Sequence, residues 1–166
     1  GDHGEKDPHV WLSAGNALLI AADMAETLEQ TDPHNQPYYL ENYRKLLTAL
    51  KQLDENTAEQ LAPYSGSRFY VFHPSFGYFA DQYGLEQVPI ELDGKSPSPR
   101  QLAELIDRAQ LDAVKVIFVQ KQFPADSANA VADAIGGKVV QLDPLAEDVV
   151  ANLKQIADSI AQALDP

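Results

Sequence analysis

Apolar residues follow two different spacings along the chain. Before Pro63 they recur at helical spacing, whereas after Ser65 short runs rich in valine, isoleucine and phenylalanine alternate with further helical segments. The first helix is predicted to begin after Ser13, a residue suited to cap it, and to end near Gln30. A second helix, predicted over residues 37–62, would be about 39 Å long at ~1.5 Å per residue. A helix of that length can join two bodies of a protein.

The alternating part of the chain predicts repeated units of strand, loop and helix. Strands are expected at residues 69–73, 87–92, 114–120 and 138–142. Continuous apolar strands of this kind are typical of parallel sheets covered by helices on both faces. We therefore predict an α/β fold in which the long helix precedes a lobe built on a four-stranded parallel sheet with right-handed crossovers.

Turn and capping residues set the expected helix boundaries. Ser98 and Gln101 predict a helix start with a capping box, in which each side chain bonds the backbone of the other residue. Gly84 and Gly136 fall where helices should stop. The last helix is expected at about residues 147–164.

Composition narrows the classes of function. The net charge of −13, from 12 basic and 25 acidic residues, excludes nucleic acid as a partner, because phosphate binding needs a basic face. No apolar run approaches the ~18 residues of a membrane-spanning helix. The chain has no cysteine, so disulfides and thiolate chemistry are excluded. A transition-metal site here must use histidine and carboxylate ligands.

Candidate metal ligands occur where apolar runs meet prolines. His73 ends a β-rich run, His9 lies in an Asp-Pro-His sequence, and Asp143 follows another apolar run. Junctions of this kind lie at the carboxyl edge of a parallel sheet, where open α/β folds bind their ligands. Imidazole nitrogen favours zinc, whereas manganese prefers a more oxygen-rich set of ligands. Trp11 is expected to pack beside His9.

Each candidate also has a purely structural interpretation. His73 could be a core histidine at a strand end, and His9 a surface residue of a turn. Asp143 could cap the final helix, which is the commoner role of an aspartate at such a position. His3 and His34 are expected to face solvent in loops.

The sequence resembles the zinc/manganese solute-binding proteins of ABC importers. The resemblance extends over essentially the whole chain and depends on motifs that occur in the family's order, namely Asp7-Pro-His-Val-Trp-Leu-Ser, Phe72-His-Pro-Ser-Phe-Gly-Tyr-Phe-Ala-Asp-Gln-Tyr-Gly-Leu, Gly94-Lys-Ser-Pro-Ser-Pro-Arg-Gln-Leu and Val140-Gln-Leu-Asp-Pro-Leu. It implies two α/β lobes joined by one long helix, with a metal ion in the cleft between them. It also implies that His9 and His73 are imidazole ligands and Asp143 a carboxylate ligand.

The chain departs from that family in length. Family members carry a larger amino-terminal lobe, which supplies a further histidine. We therefore interpret residues 1–35 as the end of that lobe, residues 36–63 as the helix between the lobes, and residues 64–166 as the carboxyl-terminal metal-binding lobe.

The resemblance implies a component of an importer that captures Zn²⁺, with Mn²⁺ as the alternative, and delivers it to the ABC permease. It also implies a periplasmic or extracytoplasmic location, with the signal peptide outside this sequence. One alternative is a truncated structural or assembly module without metal binding. Another is a hydrolase, either metal-dependent or using Ser75, but the chain has no Gly-x-Ser-x-Gly or His-Glu-x-x-His motif. We therefore expect no enzymatic activity.

The helix predicted at residues 14–30 should normally cover a sheet of the missing lobe. Without that sheet its apolar face would be exposed, and burial of apolar surface stabilises by ~25 cal/mol per Å². We therefore expect a homo-oligomer that forms through this helix.

Overall fold

The computed structural model describes residues 7–92 and 94–165. Its first part is helical, as predicted. A short 3-10 turn, Val10–Leu12, leads into helix α1, Ala14–Thr31, which begins where the Ser13 hydroxyl accepts a hydrogen bond from Asn16 N. A second 3-10 turn at Pro33–Asn35 precedes helix α2, Gln36–Leu61. With 26 residues, α2 is about 39 Å long.

The second part is a four-stranded parallel sheet in the order β2-β1-β3-β4, and the α/β prediction is confirmed. The helices and strands alternate along the chain in the order β1 (Arg68–Val71), α3 (Gly77–Tyr83), β2 (Glu86–Pro89), α4 (Pro99–Leu111), β3 (Val116–Gln120), α5 (Asp126–Ile135), β4 (Lys138–Leu142) and α6 (Val149–Leu164).

Helices cover both faces of the sheet because residues of each strand alternate between two cores. One core contains Phe69, Val71 and Phe118 with side chains of α1, α2, α3 and α6. The other contains Tyr70 and Ile117 with side chains of α4 and α5. The sheet is therefore buried on both sides, which leaves its edges as the places where polar groups can meet.

The helix boundaries expected at Ser98, Gly84 and Gly136 are confirmed, and the last helix begins two residues later than expected. Gln101 Oε1 accepts from Ser98 N at 2.9 Å, while Gly84 and Gly136 end α3 and α5 in the left-handed conformation. The last helix begins at Val149 rather than near residue 147. Its cap is Asp148, whose carboxylate accepts from Ala151 N at 3.0 Å, so Asp143 does not cap it.

A half-buried polar network joins three helices around Asp54 of α2. Its Oδ1 accepts from Gln82 Nε2 at 2.6 Å and from Tyr83 Oη at 2.9 Å, both on α3. Gln82 Oε1 in turn accepts from the Ser13 hydroxyl at the start of α1 at 2.6 Å. Burial, together with the bond to Asp54, raises the pKa of Tyr83 above its ordinary value. The network fixes the start of α1 against the rest of the molecule.

The groove between α1 and the first half of α2 exposes an apolar surface. Met24 is 61% exposed, and the other large exposed apolar side chains of this α1–α2 surface are Leu28, Tyr38 and Leu46. None of the helices in the described ranges is long and apolar enough to cross a membrane.

We expect Asp54→Ala to lower the free energy of unfolding by about 1–2 kcal/mol, because it leaves the buried Tyr83 hydroxyl and the half-buried Gln82 amide without an acceptor. Urea denaturation followed by circular dichroism measures the change. The matched control is Glu55→Ala, which replaces an exposed neighbour on the same helix and should leave stability nearly unchanged. Equal midpoints for the two variants would contradict the role given to the network.

Candidate metal site

The backbone of His73 is held by the side chain of Gln120 at the point where the chain leaves the sheet. Gln120 ends β3 and is only 1% exposed. Its Oε1 accepts from His73 N at 3.2 Å, and its Nε2 donates to His73 O at 2.6 Å. The position of this histidine is therefore set by the neighbouring strand.

The imidazole of His73 is held by a carboxylate and an aromatic ring. Glu91 N donates to Phe72 O at 3.0 Å, so the chain beyond β2 continues beside His73. Glu91 Oε1 lies 2.6 Å from His73 Nδ1, and the Phe123 ring stacks on the imidazole with centroids 4.7 Å apart. Metal-binding histidines commonly present one ring nitrogen to the ion while a carboxylate holds the other. Here Nε2 is the nitrogen left for a metal.

His9 has a similar arrangement that is built within one turn. Asp7 Oδ1 accepts from His9 N at 2.9 Å and lies 2.7 Å from His9 Nδ1. The hydroxyl of Tyr78 on α3 donates to Asp7 O at 3.2 Å. Trp11 lies beside His9 as expected, with ring centroids 5.6 Å apart, and its Nε1 donates to Pro144 O at 2.8 Å. The turn is thus fixed to α3 and to the loop after β4.

The fold brings His9 and His73 together although 63 residues separate them in the chain. Their ring centroids are 5.2 Å apart, and the ring planes are inclined by 75°. Two imidazoles on one tetrahedral zinc, with Zn–N bonds of ~2.0–2.1 Å, would have centroids about 5 Å apart. The observed separation suits a shared ion.

Asp143 lies at the same edge of the sheet, after β4, and contacts other groups. Its Oδ1 accepts from Gln122 Nε2 at 3.0 Å and from Leu145 N at 3.1 Å, and Lys121 Nζ lies 3.3 Å from Oδ2. The bond from Gln122, then that from Leu145, lowers the pKa of Asp143 below its ordinary value, which favours the carboxylate that a cation needs. To bind a metal through Oδ2, this carboxylate would exchange its contact with Lys121 for the ion.

The structure therefore assembles two of the three predicted ligands directly. Within residues 7–92 and 94–165, no group of three or more His, Cys, Asp or Glu side chains has a geometry that could hold a metal.

His34 is exposed in its 3-10 turn, as expected, and His3 lies outside the described residues. Ser75 is fully buried and accepts from Gln120 Nε2 at 2.8 Å, so it is inaccessible as a nucleophile.

The sequence interpretation missed the groups that hold His73. Glu91 stands inside the apolar run Val88-Pro-Ile-Glu-Leu, and Gln120 ends the run Val-Ile-Phe-Val-Gln. The sequence signal that could have found them is a polar residue at the end of an apolar run. Such a residue is buried when the run forms a strand, and a buried polar group needs a specific partner.

Comparison with known proteins identifies the family of this chain. The model of the ZnuA family, described as the periplasmic component A of a zinc-uptake complex, matches residues 1–164. The chain belongs to this family.

Individual relatives and solved structures give the extent of the match. The high-affinity zinc uptake system protein ZnuA of Paracoccus denitrificans is 40% identical over 61% of this chain, and that of Bacillus subtilis is 34% identical over 84%. A crystal structure of a ZnuA deletion mutant with zinc bound has a TM-score of 0.92 and 39% identity over the whole chain. The chain spans 32% and 44% of the lengths of those two relatives and 64% of the solved chain.

Proposed function

We propose that this chain serves zinc uptake as part of the extracytoplasmic solute-binding component of an ABC importer, with Zn²⁺ as its cargo and Mn²⁺ as the second candidate. The observation that carries the proposal is the pair His9 and His73, whose separation fits one ion and whose Nδ1 atoms are each held by a carboxylate. The names of the relatives, which are zinc uptake proteins, support zinc as the ion.

The chemistry of the site supports capture and release rather than catalysis. Neutral imidazoles with one carboxylate leave a zinc complex of low net charge. Asp143 would be the third ligand from this chain, supplied once its carboxylate exchanges Lys121 for the ion. Such an exchange is cheap, because an exposed ion pair contributes only ~0–1 kcal/mol. Delivery of the ion to the permease would take place in the periplasm or at the outer cell surface.

His73→Ala is expected to weaken zinc binding at least tenfold, because it removes one of the paired imidazoles. Competition titration with a chromogenic zinc chelator measures the affinity. His34→Ala makes the same change at an exposed histidine and should leave the affinity of the chain unaltered. If the two variants titrate alike, the proposed site is wrong.

Asp143→Asn tests the third ligand separately. It should reduce zinc affinity severalfold, since a neutral amide is a poorer ligand for the cation. Asp107→Asn, at an exposed position on α4, removes the same charge away from the site and corrects for the change in net charge. An equal effect of both changes would show that Asp143 acts only through its charge.

We infer that two copies of this chain associate through the α1–α2 surface. Leu28→Lys should then shift the mass measured by light scattering at micromolar concentration toward the monomer, because it places a charge in the buried contact. Leu111→Lys is the matched control, since Leu111 on α4 is 87% exposed and lies outside this surface. A monomeric mass for the unchanged chain would refute the association.

A further inference from the structure

Glu91 is a buried carboxylate whose environment calls for an explanation. It is 6% exposed, and among the described residues the only side chain that it contacts by a hydrogen bond or an ion pair is His73. Burial of a carboxylate costs free energy unless the group is hydrogen-bonded or paired. A position at the end of β2 that served packing alone would be filled better by an apolar residue. The energetic cost at Glu91 therefore indicates a role at His73.

We propose that Glu91 is the positioning residue for zinc capture by His73, an inference that rests on the proposed function. Its carboxylate accepts a hydrogen bond from Nδ1–H of the neutral imidazole. This bond selects the tautomer in which Nε2 carries the lone pair and orients that nitrogen before any ion arrives. It also makes the imidazole a more basic ligand.

Two further contacts restrict the position of the His73 imidazole, in addition to its hydrogen bond with Glu91. Gln120 holds the backbone of His73 at both its N and its O, so the Cα position cannot adjust freely. Phe123 stacks on one face of the ring with an interplanar angle of 19°. Rotation about the side-chain bonds is the remaining freedom, and the bond to Glu91 removes it. A ligand ordered in advance loses less conformational entropy on binding.

The carboxylate behind His9 differs in burial and in sequence distance. Asp7 is 29% exposed and lies two residues before His9 in the same turn, whereas Glu91 lies 18 residues after His73, in the segment that follows β2. Solvent screens the Asp7 contact more strongly, and the local turn can change without disturbing the sheet. We therefore expect Glu91 to contribute more to affinity than Asp7.

The decisive measurement is made on the metal-free protein. Long-range ¹H–¹⁵N correlation of histidine-labelled protein, at a pH where the imidazole is neutral, reports which nitrogen carries the proton. The unchanged chain should show His73 as the Nδ1–H tautomer. Glu91→Leu should shift it toward the Nε2–H form that a histidine side chain prefers in water. A variant that only loosened packing would not move this signal.

Zinc titration provides the second readout. Glu91→Leu should weaken binding about 10–100-fold, the range typical of lost partners behind a metal ligand. Glu91→Gln should lose less, because its amide oxygen can still accept from Nδ1–H, and it replaces Glu91→Leu if that variant does not fold. Glu59→Gln, at an exposed position on α2, is the matched control and should bind like the unchanged chain.

The possible results separate the two proposals. If His73→Ala weakens zinc binding but the Glu91 variants change neither tautomer nor affinity, Glu91 has no positioning role and the proposed function stands. If His73→Ala leaves zinc binding unchanged, the proposed function fails whatever the tautomer of His73. A tautomer shift in Glu91→Leu with unchanged affinity would also overturn the positioning role.

Discussion

The site depends on how the chain leaves the sheet after β1. Strand pairing satisfies the backbone up to Phe72, whose N donates to Phe118 O at 2.8 Å. At His73 the buried side chain of Gln120 replaces the backbone of the neighbouring strand as hydrogen-bond partner. Its amide bonds both the N and the O of His73. Because unpaired backbone groups are costly in a buried setting, this amide allows the strand to end and a histidine to stand at its edge. The contacts to Glu91, Phe123 and His9 all require that placement.

The elements of the fold were largely predictable because their signals are local. Ser13, Ser98 and the glycines at 84 and 136 mark helix ends by backbone chemistry that acts within a few residues. The apolar runs identified all the strands that the structure contains in its described ranges. The ends of β1 and β2 were placed too far along. For β1 the reason is that a side-chain amide replaces the backbone partner at His73, and the apolar run in the sequence does not show that point.

The site was predictable only in part, for a related reason. The positions of His9, His73 and Asp143 beside prolines were visible in the sequence, and the resemblance connected them. The partners of His73 lie at the ends of the neighbouring strands, Gln120 as the last residue of β3 and Glu91 just after β2, so these contacts depend on the strand order β2-β1-β3-β4. Nothing in the spacing of residues specifies that order. Likewise, the engagement of Asp143 with Lys121 and Gln122 follows from the adjacency of β3 and β4.

The indole of Trp11 has a mechanical consequence. Its hydrogen bond to Pro144 O ties the turn that carries His9 to the loop that carries Asp143, while His73 is anchored separately through β3. A displacement that pulled this turn away from the sheet would carry one imidazole off its neighbour and strain the carboxylate loop in the same stroke. A motion of this turn would therefore alter the positions of His9 and Asp143 together, while His73 keeps its place at the end of β1.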